Sequence, residues 1–242
     1  LKRARELMDN LRFREFIVTM FFEMLKDLTY FERRTDHNRM LSALRYILEK
    51  WVIVLSPIIP HIAEEIWEKL GKKTFVSLAQ WPKYSEEEID EKAEILENIV
   101  LQTVEDVKEI YKAIKEQRPK KCIIIISSDW KRRVLAEISE VIHKEGYNIG
   151  AAMRRISKIS ELEEYRDEAM KLVKQIFKRK ELVPRYIPSK KEEEEVLGDA
   201  LSFIEKELNT KIEIISEEDG INRGIERAKN ALPGRPGIHL EF

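Results

Sequence analysis

Cysteine is nearly absent: the 242 residues contain one, Cys122. A single thiol excludes an internal disulfide and fits a reducing, cytoplasmic compartment. Cys122 lies in an isoleucine run, where a buried, inert thiol is expected. Net charge is also nearly absent, at -1, so no global field draws the chain to a polyanion and any such site must be a local patch. No long apolar run occurs. The greasiest stretch, Ile47 to Ile62, is interrupted by Glu49, Lys50, Pro57 and Pro60, which excludes a membrane-spanning helix there. No signal peptide, internal repeat or low-complexity segment is visible, and the chain opens on Leu1 inside a helical pattern, as a segment cut from a longer protein would.

What is present is 43% hydrophobic and 37% charged residues, enough for one large or two modest domains with cores. The abundance of Lys and Glu suggests a thermophile. Phe13, Phe16, Ile17, Met20, Phe21, Met24 and Leu28 recur at helical spacing and predict one long helix over residues 1–30. Met40, Leu41, Leu44, Ile47, Leu48, Trp51, Val52 and Leu55 predict a second. Pro57 and Pro60 stop it and start a third, since proline lacks the amide donor yet suits a first helical turn. Glu64 and Glu65 complement that helix's dipole. Ile62, Ile66, Trp67 and Leu70 form its apolar face, and Gly71 supplies a left-handed stop. Ser85 with Glu88 predicts a capping box opening a fourth helix to about Glu116.

"QRPKK" breaks this rhythm. "CIIIIS" then reads as a buried strand, and Ser128 or Asp129 caps a helix ended by Gly146. Ser160 with Glu163, and Ser189 with Glu192, predict two further capped helices. "KIEIIS" and "GIHLEF" alternate as strands around a short helix in "INRGIERAKNAL". The expected architecture is multi-domain: an α-helical bundle over 1–117, then a small α+β domain over 118–242.

Chemistry-bearing patterns are sparse. His61 with Glu64 and Glu65 has metal-ligand spacing but no second histidine, so no metal or catalytic residue is assigned. "IIIISSDWKRR" runs from a strand into a helix N-terminus, a geometry that can hold phosphate, but it lacks the glycines of a nucleotide loop. The basic clustering says more. Lys171, Lys174, Lys178, Arg179, Lys180, Arg185, Lys190 and Lys191 face one acid, Glu181, with Phe177 and Tyr186 interleaved. Lys131, Arg132 and Arg133 form a smaller group, and Arg154 and Arg155 another. A cationic strip with aromatics suits a phosphate backbone with unpaired bases. The bland alternative is a solvated face whose Arg179 and Lys180 complement a helix C-terminus.

"LSPIIPHIAEEIWEKLG", followed by "SLAQWP" and preceded by "MDNLRFREFIVTMFFEML", resembles the helical anticodon-binding domain of class I aminoacyl-tRNA synthetases, in the subgroup for branched aliphatic amino acids and methionine. The α+β pattern closing on "ALPGRPGIHLEF" resembles the C-terminal extension of archaeal leucyl-tRNA synthetases; an isoleucyl- or valyl-type enzyme is the near alternative. The resemblance implies a cytoplasmic, monomeric parent enzyme that uses ATP and magnesium in a catalytic domain. Neither signature motif of that domain occurs here, and the editing domain is absent, so this part is expected to be inactive alone and to hold no cofactor. Its implied partners are leucine tRNA and the parent's catalytic and editing domains. The long variable arm of leucine tRNA is the implied target, with the basic groups as phosphate contacts and Arg235, Ile238 and His239 offered to bases at its tip. A protein-interaction module docking in a multi-synthetase assembly is the alternative from another class.

Overall fold

The computed structural model describes every residue except 115–118, 180–182 and 184. Two compact units divide between Ile89 and Asp90.

The first unit is helical. α1 (Lys2–Asp9) is followed by α2 (Phe13–Ile17), which runs through a π segment (Val18–Glu23) into α3 (Met24–Arg34). The single helix expected over residues 1–30 is therefore broken. The Asn10 amide and backbone N–H both donate to Glu6 O, and Leu11 takes a left-handed φ of 55°. That conformation is costly for a residue with a Cβ, and nothing in the apolar spacing signals it. The π segment is held from outside, where the Trp51 indole donates to Met20 O (2.6 Å). α4 (His37–Leu55) starts on Asp36, whose side chain accepts from Arg39 N–H.

α5 (Pro60–Lys69) places its proline in the first turn and stops before Gly71, φ 77°. The proline-rich corner is thus the sharp turn expected. Ala63 and Trp67 are its buried residues, while Ile62 and Leu70 of the expected apolar face lie exposed. Glu64 does more than complement a dipole: its carboxylate accepts from Val76 N–H (2.9 Å) and anchors the following loop. Ala4, Leu7, Phe16, Met20, Val54 and Leu55 form one core cluster, and Val52, Ala63, Trp67 and Val76 a second.

The second unit begins with α6 (Glu91–Ala113). Ser85 caps only a 3-10 turn, Glu86–Glu88; α6 itself starts on Asp90, which accepts from Ala93 N–H (3.0 Å). By its contacts α6, expected within the bundle over 1–117, groups with the residues that follow it. The stripe Ile99, Val100, Thr103, Val104 and Val107 is buried, and α6 packs on α10 (Lys190–Asp199) and α11 (Leu201–Leu208). The expected helix end at Glu116, with Gln117 and Arg118, lies outside the described residues.

A three-stranded sheet follows, in the order β2-β1-β3. β1 (Lys121–Ile126) is central, parallel to β2 (Lys211–Ser216) and antiparallel to β3 (Gly237–Glu241). A central strand covered on both faces explains why its isoleucines run on without alternation. One face carries Ile123 and Ile125 against Ile215, Ile225, Ala228 and Ala231. Here α12 (Glu217–Asn222) and a 3-10 turn (Glu226–Asn230) replace the single short helix expected, with Gly224 at φ 77° between them. A further core joins α7 (Asp129–Glu145), α8 (Ile149–Ile156) and α9 (Arg166–Lys178). α8, capped by Asn148, was not expected, and Ser160 opens a 3-10 turn instead of a helix. Among the described residues, no helix is long and apolar enough to cross a membrane.

Candidate nucleic-acid interface

The basic residues fall into two physical classes. The first is internal. Lys131, in the first turn of α7, is buried, and its ammonium donates to Glu217 Oε1, Lys229 O and Ala231 O, each at 2.7 Å. An ammonium has three donors, so none remains for a ligand. Burial lowers its pKa, against the pull of Glu217. Arg132 is also buried and donates to Glu193 Oε2 (2.6 Å), Pro188 O (2.9 Å) and Ser127 O. Glu193 is fully buried, and it also accepts from Gly234 N–H. Burial pushes its carboxyl up to about 7, although the Arg132 guanidinium and the Gly234 amide pull the other way.

Lys131 and Arg132 are therefore corrected from surface contacts to internal ties between α7, α10 and the segment before β3. Glu217 also accepts from Ser128 N–H (2.9 Å), so a carboxylate of the protein occupies the helix N-terminus where a phosphate would sit. Cys122 is buried, and that burial raises its thiol to about 12.

The second class is at the surface. Ala169, Leu172, Val173 and Ile176 bury one face of α9 against α7 and α8. The other face presents Lys171, Lys174 and Lys178, all exposed, with Arg179 following at the C-cap. Among the described residues, none of these four forms an ion pair. The helix dipole accounts for cations in the last turn only, so Lys171 and Lys174 need another explanation. Arg154 is exposed and unpaired in the same sense, and Lys158, which the sequence reading passed over, follows it. Arg133 and Arg155 are committed to Glu137, and Arg155 to Glu140 as well. Lys180 and Glu181 lie outside the described residues. Lys190 and Lys191 are paired with Glu218 and Glu195.

Arg185 and Arg235, far apart in sequence, line one depression of about 300 Å³ with Asn98 and Gln102, and Arg235 contacts Asp106 (3.4 Å). Ile238 and His239 sit on β3 opposite Ile124 and Ile123, so successive side chains take opposite faces of the sheet. His239 lines a polar depression with Arg223 and Arg227, two arginines the sequence reading missed. Their only sequence signal is their position around Gly224 in "NRGIER". No group of three or more metal-ligating side chains is found among the described residues.

The family described as the anticodon-binding domain of tRNA ligase matches residues 1–125. Leucine–tRNA ligase of Pyrococcus abyssi is 34% identical over 245 residues, covering 100% of this chain and 24% of the relative. The enzymes named leucine–tRNA ligase from Pyrococcus furiosus and Methanocaldococcus jannaschii are each 35% identical, again over 100% of this chain and 24% of their own length. The chain thus spans about a quarter of the length of the curated relatives it matches.

Proposed function

The chain belongs to the family of anticodon-binding domains of tRNA ligases, and from that premise we propose that it is the tRNA-recognition part of a leucyl-tRNA synthetase. The second unit grips leucine tRNA, at its long variable arm, through the exposed face of α9. The observation that carries this reading is the stripe Lys171, Lys174 and Lys178. It stays uncompensated in a chain with net charge -1, where Lys131 and Arg132 are consumed internally and Arg133 and Arg155 are paired with Glu137. Packing gives no reason for three unpaired ammoniums on one helical face, whereas neutralised phosphates release counterions and favour binding. Arg154, Arg179, Arg185, Arg235, Ile238 and His239 complete the proposed contact set. ATP and magnesium chemistry belongs to the catalytic domain of the parent, and editing to its editing domain.

An electrophoretic shift tests the proposal. Leucine tRNA is expected to be retarded at lower protein concentration than a tRNA with a short variable arm. Equal retardation refutes recognition of the arm. No retardation, with stable capture of another synthetase, transfers the function to protein docking.

A further inference from the structure

β1 and β2 run parallel, and their carboxyl ends open onto a cavity of about 370 Å³. Parallel strands bind ligands at that edge, because the turns into the following helices converge there. Trp130 from α7 and Tyr165, just before α9, stack along one wall, with ring centroids 5.3 Å apart and planes 6° apart. Tyr165 remains 36% exposed. α9 contributes Glu168, Lys171 and Gln175, and the turn ahead of β3 contributes Asn230.

The floor is already neutral. Glu217 holds Ser128 N–H, and Lys131 has spent all three donors. The rim is not. Among the described residues, the side chains of Glu168, Lys171, Gln175 and Asn230 make no hydrogen bond or ion pair. A stacked aromatic pair, two free amides, one free carboxylate and two free ammoniums, Lys171 and Lys229, share a single cleft. They match a planar ring that carries donors and acceptors on its edge and an anion alongside.

We propose that this cavity takes one unpaired nucleotide: the base on the exposed ring of Tyr165, which is itself stacked on Trp130, its edge met by Gln175, Asn230 and Glu168, and its phosphate on Lys171. The choice of RNA as the source rests on the function proposed above, since Lys171 belongs to both the cavity and the α9 stripe. A free mononucleotide offers the same chemistry.

The test follows tryptophan fluorescence and RNA anisotropy on the full chain, with single-stranded purine RNA, a blunt RNA duplex of equal charge, and free mononucleotides as probes. The single strand is expected to quench fluorescence by a fraction that Trp130→Phe abolishes, while the duplex binds without that quench. Tyr165→Leu should weaken the single strand about 5- to 100-fold, the loss expected for one base–aromatic stack, and leave the duplex unchanged. Gln175→Ala, an exposed change favourable to helix, should weaken the single strand in the same direction and covers the case in which Tyr165→Leu fails to fold.

Quenching by mononucleotides with no RNA bound supports the cavity with a free nucleotide as its ligand and removes the RNA function. Salt-dependent binding of both RNAs, with no Trp130-dependent quench and no effect of Tyr165→Leu or Gln175→Ala, overturns the cavity and leaves the α9 stripe standing. No response to any probe overturns both.

Discussion

Replacing Lys131 by Met separates an internal tie from an RNA contact. The substitution removes the partner of Glu217 and leaves that buried carboxylate with Ser128 N–H alone, while Lys229 O and Ala231 O each lose a donor. Breaking a buried pair from one side costs about 3–5 kcal/mol. In a unit of roughly 150 residues each kcal/mol lowers Tm by about 2–4 °C, so a fall of about 6–20 °C is expected. Lys131→Met/Glu217→Leu leaves no orphan charge and should recover most of the loss.

The control is Lys171→Met, an exposed change expected to shift stability by no more than about 0.5 kcal/mol while weakening RNA binding. Thermal unfolding followed by circular dichroism, with RNA anisotropy measured well below Tm, reads both quantities. A Lys131→Met protein of near-normal stability with impaired RNA binding would refute the assignment, as would a double variant no more stable than the single one.

Three further outcomes follow from the structure. Glu192, bonded to Lys92 and to Ser189 N–H in the α10 capping box, is held at about 2, below the usual 4.5. A carboxylate with a depressed folded pKa adds stability above its unfolded pKa and loses it as pH falls toward the folded one, so Glu192→Gln should flatten the Tm profile between about pH 5 and 2. In Gly220→Ala the new Cβ would meet Ala228 Cβ at 2.8 Å, a short side chain that cannot swing aside. Overpacking of about 1–3 kcal/mol should outweigh the gain of about 1 kcal/mol in helix propensity, as denaturant titration would show. Cys122 should resist an aromatic disulfide reagent in the native state and react fully in denaturant, since it is buried and its thiol titrates near 12.

Local physics made much of the fold legible. The isoleucine run gave a central strand, Pro60 and Gly71 bounded α5, and Ser189 with Glu192 formed the expected capping box. The same Ser-x-x-Glu spacing misled at Ser85 and Ser160, where only 3-10 turns form. A cap starts a helix only if an apolar stripe follows in register, and at the first site Asp90 is the better-placed cap. The break at Leu11 depends on a backbone conformation that apolar periodicity does not encode.

The site was half legible. Composition identified the cationic stripe of α9, but Lys131 and Arg132 look no different in sequence from Lys171. Their partners, Glu217 and Glu193, arrive from remote elements that only the fold brings near. The cavity wall of Trp130 and Tyr165 was hidden for the same reason. So was the depression that Arg185 and Arg235 both line.

The salt dependence of leucine-tRNA binding tests the central claim most directly. Each phosphate neutralised contributes about 0.7–0.9 to the slope of log K against log salt. With Lys171, Lys174 and Lys178 all changed to Gln, the slope should become shallower by about 2–3, with Tm unchanged. An unaltered slope in that variant would contradict the claim that the exposed face of α9 holds the tRNA backbone.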